Sequence, residues 1–353
     1  MVRPRSRSPL FLVPAVGVLA LGASNLCCAR RLGSVHPTPA DAPYSAASMA
    51  AGDELELRFL GVAGWTLRRG SAMIMTGPFY SNPSFLRTGL LTIESKPEIV
   101  DRFLPDVSDA QAILVGHAHY DHLMDVPYVA RAKATHATIY GSKTMAHILA
   151  AVPELRGRVQ EVETRASDGE RPGEWVYTSD RAIRFMAMKS EHAPHFFGIK
   201  LYGGTLDRDL AELPRRAGGW KEGQTLSYCI DFLDPDGTIA FRVHFQDSAS
   251  NAPIGMPPAM SGRDAKDWDA VIFTGASFHE VKGYPETLLM ALHPRRAFMS
   301  HWEDFFIPHD APLHVVRATN VAKLCRRLEG KLPRGTELVV SLPGATYRME
   351  RSR

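Results

Sequence analysis

From residue 54 the chain alternates: Leu55, Leu57 and Phe59 are apolar, and Glu54, Glu56 and Arg58 are polar. A period of two marks a half-buried strand. Trp65–Leu67 and Ala72–Thr76 continue as the next strands of a meander, with Arg69–Gly70 as a turn. Ala112–Val115 is a short apolar run and predicts a buried strand. Lys143–Ala151 predicts a helix and Val159–Val162 a strand. In the second half Ala182–Met188, Phe197–Tyr202, Ser227–Phe232 and Thr238–Phe245 read as strands. Asp236–Gly237 makes the last two a hairpin. Ala270–Thr274 and Ala297–Met299 are short buried runs, with Glu286–Leu292 helical between them. Val321, Leu324, Cys325 and Leu328 fall at the spacing of a helix's apolar stripe. Glu337–Ser341 reads as a closing strand. Two strand-rich halves, each followed by helices, predict an α+β sandwich, one domain over residues 53–353 and near the upper size for a single core.

Other stretches break these patterns. Residues 1–30 open with Arg3, Arg5 and Arg7, and then Leu10–Ala23 is uncharged and apolar. A basic start before such a run is the pattern of an export leader. The run is shorter than the roughly 20 residues that span a bilayer, and it contains Pro14. The expectation is an exported protein, periplasmic or anchored at the cell envelope. Cys27 and Cys28 offer a lipoprotein variant with membrane attachment through the N-terminus. Ser24-Asn25-Leu26 before them departs from the small residues that usually precede an acylated cysteine, which favours a cleaved leader. Residues 31–52 are rich in Pro, Ala and Ser, and read as a linker. Gly77–Leu91 and Ser248–Trp268 read as long irregular loops whose apolar residues could wall a pocket for a small-molecule or lipid-like substrate. Asp207–Gln224 reads as an exposed insertion.

Composition narrows the class. The 353 residues are 45% hydrophobic and 22% charged, ordinary values for a folded globular chain. A net charge of +3 gives no concentrated basic face for nucleic acid. The chain's 4 cysteines are too few for a disulfide scaffold, and Cys229 and Cys325 read as buried free thiols. No Gly-x-Ser-x-Gly elbow and no phosphate-binding Gly-Lys-Ser/Thr loop is present.

The chemistry concentrates at residues 117–122, His-Ala-His-Tyr-Asp-His, directly after the strand Ala112–Val115. His117 and His119, two apart, send their side chains the same way from an extended or turning backbone. Asp121 and His122 follow at once. Burying so many polar groups beside an apolar strand is costly unless something binds them. Imidazole nitrogen and carboxylate oxygen suit a divalent cation such as zinc, with manganese or iron as alternatives.

This stretch resembles the His-x-His-x-Asp-His signature of the metallo-β-lactamase-fold hydrolases, and the resemblance extends over most of residues 53–349. The family places later ligands at strand ends. Here Ala182–Met188 runs into Lys189-Ser190-Glu191-His192, Thr238–Phe245 into Gln246-Asp247-Ser248, and Ala297–Met299 into Ser300-His301-Trp302. Phe59-Leu60-Gly61-Val62-Ala63-Gly64 and His301-Trp302-Glu303-Asp304-Phe305-Phe306 look most like the branch of ascorbate-phosphate lactonases and N-acyl-phosphatidylethanolamine phospholipase D. The resemblance implies a four-layer αββα sandwich. It also implies one metal on His117, His119 and His192, a second on Asp121, His122 and His301, and Asp247 between them. Two such cations about 3.5–4 Å apart share a hydroxide and polarise the bond under attack, and Asp121 can also orient that hydroxide. The implied function is an exported dinuclear zinc hydrolase acting on a phosphodiester, lactone or other ester or amide. A β-lactamase, or a metal-binding envelope protein without turnover, are the alternatives.

Some residues stay in competition. His195 rivals His192 as third ligand, although His192 lies nearer the strand end. His244, His279, His293 and His309 read as structural, with His279 a candidate for the cleft. Many relatives carry Thr-Asp-Pro where this chain has Thr76-Gly77-Pro78. The missing carboxylate would support the metal loop, and such losses cost 10- to 100-fold in affinity or activity. Gly77 therefore puts metal occupancy in question.

Overall fold

A computed structural model describes residues 54–195 and 197–352. The leader, the linker, Cys27 and Cys28 lie outside the described residues.

The strands form two sheets. The first holds β1 (Glu54–Gly61), β2 (Gly64–Arg69), β3 (Ala72–Thr76), β4 (Ala110–Leu114), β5 (Thr138–Gly141) and β6 (Val159–Glu161). The second holds β7 (Val176–Tyr177), β8 (Ile183–Lys189), β9 (Leu226–Leu233), β10 (Ile239–Gln246), β11 (Ala270–Thr274), β12 (Arg296–Ser300) and β13 (Glu337–Val340). β14 (Thr346–Glu350) returns to the first sheet. The orders are β14-β1-β2-β3-β4-β5-β6 and β13-β12-β11-β10-β9-β8-β7. Each sheet is mixed. Pairing is antiparallel from β14 to β3 and parallel from β3 to β6. It is parallel from β13 to β10 and antiparallel from β10 to β7.

The two sheets pack face to face. The Trp65 ring lies 5.7 Å from Phe298, and Tyr140 lies 4.9 Å from Phe185. Tyr228 of β9 donates its hydroxyl to the Val115 carbonyl at 2.9 Å, crossing from one sheet to the other. Each buried aromatic or branched side chain here stabilises by about 1.5–3 kcal/mol.

The helices are short: α1 (Phe85–Leu90), α2 (Pro97–Phe103), α3 (Tyr120–Leu123), α4 (Val126–Ala132), α5 (Lys143–Leu149), α6 (Glu286–Leu292) and α7 (Val321–Leu328). α7 buries the stripe Val321, Leu324, Cys325 and Leu328 in a second core with Leu288, Leu289 and Leu292 of α6. Val271 and Phe273 of β11 and Ala297 and Met299 of β12 complete that outer layer.

Three expectations are corrected. Phe197–Tyr202 is not a strand, because Phe197 (φ 48°), Gly198 (φ 74°) and Tyr202 (φ 58°) are left-handed. Gly77–Leu91 is not wholly irregular: Ser84 caps α1, accepting from the Arg87 amide, and Phe79 and Tyr80 are buried. Asp207–Gln224 is not a detached insertion. Trp220 and Ala217 are buried, and the Glu222 carbonyl accepts from the Ala118 amide at 2.9 Å.

Candidate metal centre

Parallel strands line up their carboxyl ends, and open α/β sheets bind ligands just beyond those ends. β4 ends at Leu114 and releases Val115-Gly116 before His117. A side-chain carbon at Gly116 would sit 2.0 Å from the Asp247 carboxyl carbon, so only glycine lets Asp247 reach this loop. His119 is extended (φ −65°, ψ 157°) and starts α3, whose single turn swings Asp121 and His122 inward. β8 leads to His192, β10 to Asp247 and β12 to His301. His301 is left-handed (φ 52°), a conformation that costs a non-glycine residue energy and is often found at functional sites.

The seven sequence-predicted residues converge. His117, His119 and His192 present nitrogens within 4.8 Å of one another. His117, His122 and Asp247 form a second such group, and Asp121, His122 and His301 a third. The groups share His117 and His122, so they make one continuous cluster. Asp247 spans it, with one carboxylate oxygen 2.5 Å from His117 Nδ1 and the other 3.0 Å from His122 Nδ1. Asp121 Oδ2 lies 3.5 Å from Nε2 of both His122 and His301.

Burial keeps three of the imidazoles neutral. It lowers His119 to about 3, and holds His117 and His192 well below the ordinary histidine value. Neutral imidazole is the form that coordinates metals. Burial alone would raise Asp121, but the neighbouring His122 and His301 hold it well below the usual carboxylate range. Burial likewise opposes protonation of His122, yet Asp247 and Asp121 lift it above the ordinary value.

The donor set fits a divalent cation. His119 Nε2 and His301 Nδ1 are buried without a hydrogen-bond partner. Each orphaned atom costs about 1–3 kcal/mol unless a ligand takes it. His195 stacks on His192, ring centroids 4.8 Å apart, and its Nδ1 accepts the Leu201 amide at 3.1 Å. It belongs to none of the three groups. The other histidines have structural surroundings. His244 lies buried against Gln246, His309 packs on Tyr80 and Phe103, and His293 caps α6 in a left-handed turn. His279 is exposed, its ring 5.5 Å from that of Phe278. Cys229 and Cys325 are buried free thiols.

Two buried carboxylates escaped the sequence reading. Asp125 accepts the amides of Tyr80 (2.7 Å) and Ser81 (3.0 Å) and the hydroxyls of Ser81 and Ser95 (both 2.6 Å). Glu303 accepts the amides of Val62 and Trp302 beside His301. Gly77 also acquires a reason. A side-chain carbon there would lie 2.4 Å from the His122 carbonyl oxygen. An aspartate at 77 does not fit this backbone, so its absence belongs to how the loop is built.

Paired mixed sheets under outer helices, with the cluster at the strand ends, define a four-layer αββα sandwich of the metallo-β-lactamase type. No protein-family profile and no curated protein matches the sequence. Among solved structures the chain is similar to Igni18, a metallo hydrolase from the archaeon Ignicoccus hospitalis. Identity is 14% over 85% of this chain and 100% of that one, with a TM-score of 0.48. YhfI from Bacillus subtilis, described as a metallo-β-lactamase fold protein, shares 12% identity over 84% and 100%, with a TM-score of 0.45. CmlA, a diiron β-hydroxylase from Streptomyces venezuelae, shares 14% over 84% of this chain and 54% of that chain, with a TM-score of 0.44.

Proposed function

We propose that the chain is a metal-dependent hydrolase with a pair of divalent cations, zinc first among the candidates and manganese or iron as alternatives. The observation that carries this reading is the convergence of seven ligand-type residues from four strand ends into one buried cluster. His117, His119 and His192 would hold one cation, and Asp121, His122 and His301 the other. Asp247 would join them, its negative charge offsetting their repulsion. Bound there, the cations would supply an acidified water and a Lewis acid for the oxygen of the scissile bond. Asp121 would orient that water. The bond broken belongs to a phosphodiester, lactone or other ester or amide. Residues 1–30 support export to the periplasm or cell envelope.

A panel of phosphodiester, lactone, ester and amide substrates tests the reading on metal-replete protein. Turnover should vanish with chelator and return with zinc. Asp247→Asn, which keeps the shape and removes the charge, should lower kcat about 10²-fold or more, equivalent to about 2.7 kcal/mol of barrier. Chelator-resistant turnover, or wild-type kcat in Asp247→Asn, would contradict it.

A further inference from the structure

Beside the metal centre lies a cleft of about 790 Å³, within the range of small-ligand sites. One wall is the end of α1 and the strap after it, Thr88 to Thr92. The other is the loop Pro214–Gly219. The walls are tied together. The Ile93 amide donates to the Arg215 carbonyl at 2.8 Å, and Arg216 Nη1 donates to the Leu90 carbonyl at 3.3 Å. Tyr202 lines the cleft, and its ring stands edge-on to His119 with centroids 6.1 Å apart. Tyr202 therefore stands between the cleft and the cluster.

Its chemistry is divided. Arg215 and Arg216 are exposed on one wall, and among the described residues neither is held in an ion pair with a carboxylate. Leu91, Pro214, Ala217 and the Tyr202 ring give apolar surface. Of the eight exposed large apolar side chains among the described residues, four fall on α1 and the residue after it, Phe85, Leu86, Leu90 and Leu91, and Leu91 lines the cleft. Exposed apolar side chains gathered in one stretch mark a contact surface rather than scatter. Guanidinium groups recognise carboxylate, phosphate and sulfate through paired hydrogen bonds.

We propose that this cleft binds an anionic amphiphile, its acid group on Arg215 and Arg216 and its alkyl or aryl part along Leu91, Pro214 and Tyr202. As the substrate's site it rests on the hydrolase reading; as a binding site it does not. Calorimetric titration of the zinc-loaded full chain with octyl sulfate tests it, because a sulfate monoester is a weak zinc ligand. Octyl sulfate should bind at least about tenfold more tightly than sulfate or octyltrimethylammonium. Arg215→Gln should weaken it, Arg215→Gln with Arg216→Gln by about tenfold or more, and Leu91→Gln similarly. Arg215→Gln keeps the Arg216–Leu90 hydrogen bond, so its effect does not depend on disturbing the wall. His119→Ala should retain binding. Equal affinity in wild type and the double arginine variant would overturn the proposal, as would tighter binding of the cation or loss of binding in His119→Ala. Absence of metal-dependent turnover would leave this titration unchanged and count against the hydrolase reading alone.

Discussion

Gly77 and Gly116 show how single atoms set the centre. At 116 the space that a methyl would fill is taken by the Asp247 carboxylate, and at 77 by the His122 carbonyl. Restoring an aspartate at 77 therefore inserts a side chain where backbone stands. Overpacking of this kind costs about 1–3 kcal/mol. Gly77→Asp should lower Tm and reduce metal content, read by calorimetry and elemental analysis. Raised metal affinity with unchanged Tm would show that the loop yields and that the carboxylate was missing after all. The candidate ligands were legible in two ways: four fall within six residues beside an apolar strand, and the family resemblance pointed to the other three, a few residues past predicted strand ends. Asp125 and Glu303 were not, since a buried carboxylate that accepts backbone amides looks like any surface acid until its donors are known.

The elements that hold the ligands are short, so neighbouring contacts must fix them. α3 has only four residues, too few to hold its own geometry. Asp125, between α3 and α4, is fully buried and ties them to Tyr80, Ser81 and Ser95. Asp125→Ala leaves several buried donors unpaired, and each costs about 1–3 kcal/mol. The variant should lose about 3 kcal/mol or more in denaturant unfolding, with Asp125→Asn, which keeps an acceptor, milder. Equal stability of all three would remove Asp125 as the anchor. Strand and helix periods were readable wherever a face is buried, as in β1 and α7. α1 gave no stripe because Phe85, Leu86 and Leu90 point outward, and Thr88 and Gly89 are weak helix formers. β14 was missed although Tyr347 and Met349 alternate with Thr346, Arg348 and Glu350. Its partner is β1, nearly the whole chain away.

At the scale of the molecule, the two sheets of seven strands each bring a parallel half to the same edge, which is why ligands so distant in sequence meet. If the protein is exported, the mature chain lacks its apolar start. Mass spectrometry of the natural N-terminus should find cleavage between about residues 23 and 36, where small residues follow the apolar run. An acylated Cys27 or Cys28 would establish anchoring, and a full-length soluble cytoplasmic chain would exclude export. The central claim is that the seven residues hold a pair of cations. Anomalous diffraction at the zinc edge from crystals of the zinc-loaded protein reads it directly. The expected map has paired peaks about 3.5–4 Å apart, one against His117, His119 and His192, the other against Asp121, His122 and His301, with Asp247 between and His195 free of both. A map with no peak in the cluster, or with zinc on His195 and His192 turned away, would contradict the account.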